Sequence, residues 1–247
     1  MTGAGTNTYL VGTDEVAVID PGPDEARHVS SIVGALGRGR LRWALLTHAH
    51  VDHAPGAQRL ARQTGAQILA FATAGRAVAP DHMLDDGESV ACSGFVLEAI
   101  HTPGHASDHL CFFLKEERAL FSGDLIMSGS TVVIAPPDGD MAAYLRSLDR
   151  VKQWRPVRIY PGHGDAIDSP QAVIEEYIRH RLMREQQVLD ALREGPRRIA
   201  DLVPEIYAGT PLALHRLAAL SIYAHLLKLR AEGRVSGGDR ESEWTLV

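Results

Sequence analysis

Thr47-His48-Ala49-His50-Val51-Asp52-His53 is the stretch that decides how this chain is read. Three imidazoles and a carboxylate, all side chains of the metal-ligand type, fall within six residues. The apolar run Trp43-Ala44-Leu45-Leu46 before them reads as a buried strand. Pro55-Gly56 after them ends any extended continuation. The cluster is therefore expected on a loop at a strand's C-terminal end, a usual place for chemistry in layered α/β folds. Packing alone does not select such a group. Without a metal it crowds three imidazoles that gather charge as pH falls towards about 6.5.

Three further segments repeat the theme. Thr102-Pro103-Gly104-His105 follows the strand-like run Phe95–Ile100, Gly123-Asp124 follows Ala119–Phe121, and Pro161-Gly162-His163 follows Val157–Tyr160. Each sets one ligand-type residue just past an apolar strand, beside glycine that permits close backbone approach. Four strand ends can meet at one edge of a sheet sandwich.

The 247 residues suffice for one large domain, or for a large and a small one. A hydrophobic share of 45% and a charged share of 23% place the chain among globular proteins. No apolar run approaches the roughly 20 residues a bilayer span requires. The polar stretch Met1–Asn7 has neither the basic nor the apolar region of a secretory signal. Cys92 and Cys111 are the only cysteines and read as buried thiols, which points to a reducing, cytoplasmic setting. Net charge is −6, and residues 171–247 are neutral, with 11 basic and 11 acidic side chains. The acidic excess thus lies in residues 1–170, which argues against a general polyanion binder and leaves room for a local basic groove.

Strand and helix signals alternate through the first two thirds. Thr8–Gly12 and Glu15–Ile19 read as a hairpin, Asp24–Leu36 as a helix, Trp43–Leu46 as a strand and Ala57–Thr64 as a helix stopped by Gly65. Gln67–Phe71, Val90–Cys92, Phe95–Ile100, Leu110–Leu114, Ala119–Phe121 and Val157–Tyr160 are predicted strands, and Met141–Trp154 a helix. Ser169-Pro170 and Thr210-Pro211 read as helix starts, each a cap residue followed by proline. They open predicted helices to about Arg193 and to Glu232, with Ile199–Tyr207 helical between them. Arg234–Val235 and Trp244–Val247 suggest a closing hairpin. Helix, helix, long helix and hairpin is the order of a winged-helix-like module.

At these residues the chain resembles the metallo-β-lactamase superfamily, over about residues 6–170. The resemblance implies an αββα sandwich at residues 1–170, with a small helical, winged-helix-like domain at 171–247. It implies that His48, His50 and His105 hold one metal, that Asp52, His53 and His163 hold a second, and that Asp124 bridges both. Asn7, Tyr9 and Asp20-Pro21-Gly22 also match the family's opening hairpin, with Asp20 as a carboxylate supporting a ligand from behind. The count is chemically sensible, because each metal keeps room for a bridging water. Two metals about 3.5–4 Å apart lower that water's pKa to about 7. The all-N/O set suits two Zn²⁺, and Fe or Mn also fits. Asp52 and Asp124 are the expected catalytic carboxylates, with Asp52 orienting the nucleophile besides binding metal. His109 and Asp108 are read as supporting a ligand or facing substrate. His28, His82, His180, His215 and His225 are read as surface or helix-face residues.

Hydrolysis is the implied reaction. A ligand cysteine common among two-zinc lactamases has no counterpart here, which points away from β-lactams. The match is nearest to the β-lactamase-like protein 2 branch, supported by Met141–Leu148 and by Ala224–Val235. That branch includes single-stranded RNA endonucleases, so phosphodiester or single-stranded RNA cleavage is the expected activity. Thioester hydrolysis of the glyoxalase II kind is the alternative, and a metal-sensing winged-helix regulator the non-enzymatic one. The C-terminal residues are expected to pack on the catalytic domain and shape a cleft for a small molecule or RNA. Arg197, Arg198, Arg216, Lys228 and Arg230 are the candidates for nucleic-acid contact. Family members carry further residues before the opening hairpin, so an edge open to pairing in a homodimer is expected.

Overall fold

The computed structural model describes residues 5–71 and 78–247. Part of the polar stretch Met1–Asn7 lies outside the described residues.

Two five-stranded sheets stack face to face. The first has the order β1 (Tyr9–Val11), β2 (Glu15–Ile19), β3 (Arg40–Leu45), β4 (Gln67–Phe71), β5 (His82–Leu84). Only the β1–β2 pair is antiparallel; the rest run parallel. The second sheet is built from β6 (Ser89–Cys92), β7 (Phe95–His101), β8 (Leu110–Leu114), β9 (Ala119–Gly123) and β10 (Arg158–Pro161), in reverse order across the sheet. There β9 and β10 are parallel and the others antiparallel.

Strand periodicity separates the layers. In β2, Ala17 and Ile19 join the core between the sheets, whereas Val16 and Val18 join the core under α1 (Ala26–Ala35) and α2 (Gly56–Thr64). In β8, Leu110, Phe112 and Leu114 face the inter-sheet core. Cys111 and Phe113 face α3 (Met141–Gln153) and α4 (Pro170–Arg193). The order of layers is therefore α, β, β, α, as expected. Both faces of each sheet are buried, which is why the central strands read as nearly continuous apolar runs.

The C-terminal residues form α5 (Ile199–Ile206), α6 (His215–Ala231) and a three-stranded sheet, around a fourth core centred on the fully buried Trp244. That sheet pairs β11 (Arg197–Arg198) and β12 (Val235–Ser236) with the two edges of β13 (Glu243–Leu246), so the predicted hairpin gains a third strand. Thr210-Pro211 does not start a helix. Pro211 has ψ 138°, an extended value, and a single 3₁₀ turn at Leu212–Leu214 precedes α6. Ser169-Pro170 does open α4, with Pro170 in the first helical position although the Ser169 hydroxyl makes no cap bond.

His225 corrects the expectation of a surface residue. It is buried between α6 and α4, with Nδ1 3.3 Å from Glu185. Glu185 is itself buried and accepts from Lys228 Nζ at 2.9 Å. Burial pushes His225 below its ordinary 6.5. Burial pushes Glu185 upward, but His225 and Lys228 outweigh it and hold the carboxyl below 4.5. Both shifts act in one direction. As pH falls below about 6.5 the unfolded chain protonates His225 before the folded chain does, and near 4.5 the same holds for Glu185. Folding stability is expected to drop steadily from pH 7 to pH 4 in urea denaturation. In His225→Gln, which keeps a donor but does not titrate, the decline between pH 7 and pH 5 should flatten; an unchanged slope would remove His225 from the account.

Candidate metal centre

The ends of β3, β7, β9 and β10 deliver the ligand-type residues to one edge of the sandwich. After β3 the chain turns through Thr47–Pro55 into α2. Three groups of donor atoms, each within 4.8 Å of one another, result: His48, His50 and His105; His48, His53 and Asp124; Asp52, His53 and His163. All seven residues singled out by sequence are thus brought together, and Asp124 lies between the two outer groups. Its Oδ2 is 3.5 Å from His105 Nε2 and its Oδ1 is 3.4 Å from His163 Nε2.

Hydrogen bonds behind the rings settle which nitrogen faces inward. Asp20 Oδ2 receives the Thr47 hydroxyl at 2.7 Å, so Thr47 Oγ1 accepts from His48 Nδ1 at 2.9 Å. Asp20 Oδ2 also holds His53 Nδ1 at 2.8 Å. His105 Nδ1 donates to the Val133 carbonyl at 2.8 Å, and His163 Nδ1 to the Gly5 carbonyl at 3.0 Å. These four rings therefore turn Nε2 to the centre, while His50 turns Nδ1. His48 Nε2 and His105 Nε2 approach His50 Nδ1 to 2.9 and 3.1 Å. A proton on His50 Nδ1 can serve only one of these two contacts, whereas a cation among the three nitrogens relieves both. Asp124 Oδ1 is buried and has no hydrogen-bond partner among the described residues, a further mark of a cation's place. The donor set fits divalent metals.

Two glycines make room. A Cβ on Gly162 would stand 2.8 Å from Asp124 Oδ1 and 2.9 Å from His53 Cε1. Gly123 has φ +47°, and a Cβ there would reach 2.7 Å from His109 Nε2.

His109 and Asp108 both lie behind the ligands rather than facing substrate. His109 Nε2 accepts the Asp124 backbone N–H at 3.0 Å, and its Nδ1 meets Thr102 Oγ1 at 2.8 Å. Burial drives His109 far below its ordinary value, which keeps that acceptor bare. Asp108 Oδ2 accepts the Ala49 N–H at 3.0 Å and fixes the His48–His50 turn. Supports that sequence reasoning missed are Thr47, which directly precedes the motif, and the carbonyls of Gly5 and Val133, which carry no sequence signal. His28 bonds the Thr8 hydroxyl through Nε2 at 3.1 Å, and His101 stacks on Phe71; neither reaches the centre.

Charge is divided unevenly. Burial, then neighbouring imidazoles, hold His48 well below its usual range. Burial opposes charge on His163 as well, but Asp124 and Asp52 raise it to about 10. Burial would raise Asp124, yet His163, His53 and His105 hold it at about 2. The hydrogen bond from His163 holds Asp52 below the carboxylate range. The carboxylates are therefore anionic across the physiological range. His50 is exposed and Asp52 and His105 are partly so, which puts these three on the solvent-facing side of the centre.

Comparison with known proteins agrees. The Metallo-beta-lactamase superfamily profile matches residues 1–163, and that of the Beta-lactamase associated winged helix domain matches residues 199–244. A Beta-lactamase-like protein 2 homolog from Caenorhabditis elegans is 36% identical, covering 91% of this chain and 78% of its own length. An atrochrysone carboxyl ACP thioesterase from Aspergillus fumigatus is 35% identical over 76% of this chain and 60% of its own. Among solved structures, a metallo-beta-lactamase family protein from Thermus thermophilus superposes with a TM-score of 0.81 at 24% identity, covering 98% of this chain and 94% of that one. TTHA1623 in a di-iron-bound form gives 0.56 at 29% identity, over 67% of this chain and 91% of that one.

Asp20 takes a left-handed backbone, φ +50°, to reach Thr47 and His53, and asparagine tolerates that conformation. Asp20→Asn should fold but lower metal affinity about 10- to 100-fold by loosening two imidazoles. Competition against a chelator measures it; wild-type affinity would show that the carboxylate does not orient the rings.

Proposed function

The chain belongs to the metallo-beta-lactamase superfamily, and from that membership we propose a two-metal hydrolase that cleaves an activated acyl bond, a thioester or ester. One observation carries the two-metal part: Asp124 turns one oxygen to His105 and the other to His163, between two sets of inward-facing donors. His48, His50 and His105 would hold the first ion, Asp52, His53 and His163 the second, with Asp124 shared. Zn²⁺ suits this set; the di-iron form of TTHA1623 supports iron as an equal fit. Bound there, two such ions supply Lewis acidity and an activated water at neutral pH.

The chain's own residues do the rest. Asp52 Oδ2 is fixed by His163 Nε2 at 3.4 Å and by the Thr6 hydroxyl at 3.3 Å, with a solvent-open side. It would orient the attacking water. His109 and Asp108 hold the backbone on either side of the centre, so ligand geometry survives the change of charge during reaction. Bulk solvent reaches the site past His50, Asp52 and His105, since the other four proposed ligands are buried.

The basic candidates of the C-terminal module favour the acyl substrate over single-stranded RNA. Arg197 pairs with Glu194 and Arg198 with Glu243. Lys228 pairs with Glu185 and Glu232, and Arg230 donates to the carbonyls of Gly237 and Gly238. Arg216 alone of the five has no such partner among the described residues, too little for a strand of phosphates. The thioesterase name of one relative points the same way. Among the described residues no helix is long and apolar enough to cross a membrane. Both thiols are free, which suits a cytoplasmic enzyme.

Asp124→Ala should bind neither metal tightly and lose activity by at least about 10³-fold, near 4 kcal/mol of barrier. His163→Ala should keep one ion of two by elemental analysis. Retention of both ions in His163→Ala would overturn the assignment. A panel of a thioester, an ester, a generic phosphodiester, an oligoribonucleotide and a β-lactam tests the substrate class. Turnover confined to the phosphodiester and the oligoribonucleotide would refute the acyl reading.

A further inference from the structure

A cavity of about 180 Å³ opens between the segment Ser130–Val133, helix α4 and the start of α6. Arg181, Arg184, His180, Tyr207, Thr210 and Ser221 are among its lining residues, and no acidic side chain is. Arg181 is 2% exposed. Its Nη2 donates to the Val132 carbonyl and its guanidinium lies 5.2 Å from the centre of the Tyr144 ring. Arg184 donates to the Ile206 carbonyl at 2.7 Å and stacks on Tyr207 at 4.4 Å. Every one of these partners is neutral. Both Nε atoms are buried with no hydrogen-bond partner among the described residues. The nearest buried acid in sequence, Glu185, is already engaged by His225 and Lys228.

Buried guanidinium groups always carry their charge, and leaving one without a counter-ion costs several kcal/mol. Arg181 is such a group, and Arg184 beside it is half-buried with an enclosed, unpartnered Nε; with the Thr210 and Ser221 hydroxyls on the same cavity they describe a site whose anion comes from outside. We propose that Arg181 and Arg184 form a subsite for a phosphate group carried by the substrate, across the Val132–Val133 segment from His105. The proposal rests on the acyl-bond reading above and narrows it to phosphate-bearing thioesters or esters. The planar fork of each arginine matches the oxygens of such a group, and the Thr210 and Ser221 hydroxyls add neutral donors. His180 at the rim stays neutral, pushed down to about 4 by burial and by the two arginines, so it can accept as well as donate. Leu214, Leu217 and Ala218 also line the cavity, and its small, partly apolar wall suits one anionic group better than a continuing strand of RNA.

Adjacent carbonyls tie the subsite to the metal centre. Val132 holds Arg181 and Val133 holds His105 Nδ1, so phosphate seated on the arginines tightens the segment that orients a ligand.

The test uses the full-length, metal-loaded protein, titrated calorimetrically with 4′-phosphopantetheine and with pantetheine, which differ by one phosphate. Wild type should bind the phosphorylated compound at least about tenfold more tightly. Arg184→Met, at the more open edge of the cavity, should lose that preference while keeping its metal content and circular dichroism. With thioesters of the same two compounds, the KM ratio should fall towards one in the variant. Equal binding of both compounds by wild type would overturn the proposal, as would an undiminished preference in Arg184→Met. Arg184-dependent phosphopantetheine binding without turnover of any thioester would refute the acyl reading and leave the subsite standing. Arg184-dependent cleavage of an oligoribonucleotide, with no preference for phosphopantetheine, would overturn the small-molecule form.

Discussion

Mutual repulsion of converging lone pairs is the constraint on which this structure turns. Five imidazole nitrogens and two carboxylates meet at one edge of the sandwich, and nothing in their own chemistry holds them there. The fold supplies the restraint from behind. Asp20 governs two rings, directly at His53 and through Thr47 at His48. Backbone carbonyls of Gly5 and Val133 govern two more. Each of these supports is polar, and Asp20 and Thr47 are buried beneath the cluster. Their satisfaction fixes the tautomers, and the tautomers fix the charge the site accepts. The stacked sheets beneath, with apolar cores on both faces, provide the stiffness that keeps four strand ends in register.

Much of this was legible in the chain. A buried strand gives itself away by an apolar run, and a ligand-type residue just past it by its chemistry, so the five histidines and two aspartates could be read directly, whereas the αββα layering rested on the family resemblance. Short or edge elements could not: β5, with only three residues, carries too little pattern. Nor could burial of single histidines on α6. His225 sits on a helix whose apolar residues spread around most of its circumference, so periodicity does not mark its inward face. Pro211 looked like a helix start because cap chemistry is local, whereas its extended backbone is imposed by how α6 docks. Main-chain acceptors such as Val133 have no residue signature and are invisible before folding.

The C-terminal module matters more for the centre than its neutral charge suggested. Through α4 it grips the loop that follows β9. The Tyr177 hydroxyl lies 2.7 Å from the carbonyls of both Met127 and Ser130, and Arg181 takes that of Val132. The same loop gives Ser128 N–H to the His163 carbonyl and the Val133 carbonyl to His105. One segment thus touches a ligand of each metal-binding group on one side and the module on the other. A substituent that rearranges α4 must therefore be felt at His105 and His163, although it contacts neither.

The distribution of arginines sharpens the same point. Of the module's five candidate cations, Arg197, Arg198 and Lys228 pair with neighbouring acids, and such pairs contribute little to stability where exposed, about 0–1 kcal/mol each. Their consequence is electrostatic: they leave the outer face without a field that would gather a polyanion. Arg181 and Arg184 are the opposite case, desolvated and paired only with neutral groups. Retaining such charge beside the loop that orients His105 is costly in isolation, and the proposed phosphate would offset that cost. On the proposed reading, this distribution of charge would favour a compact anionic ligand over an extended one.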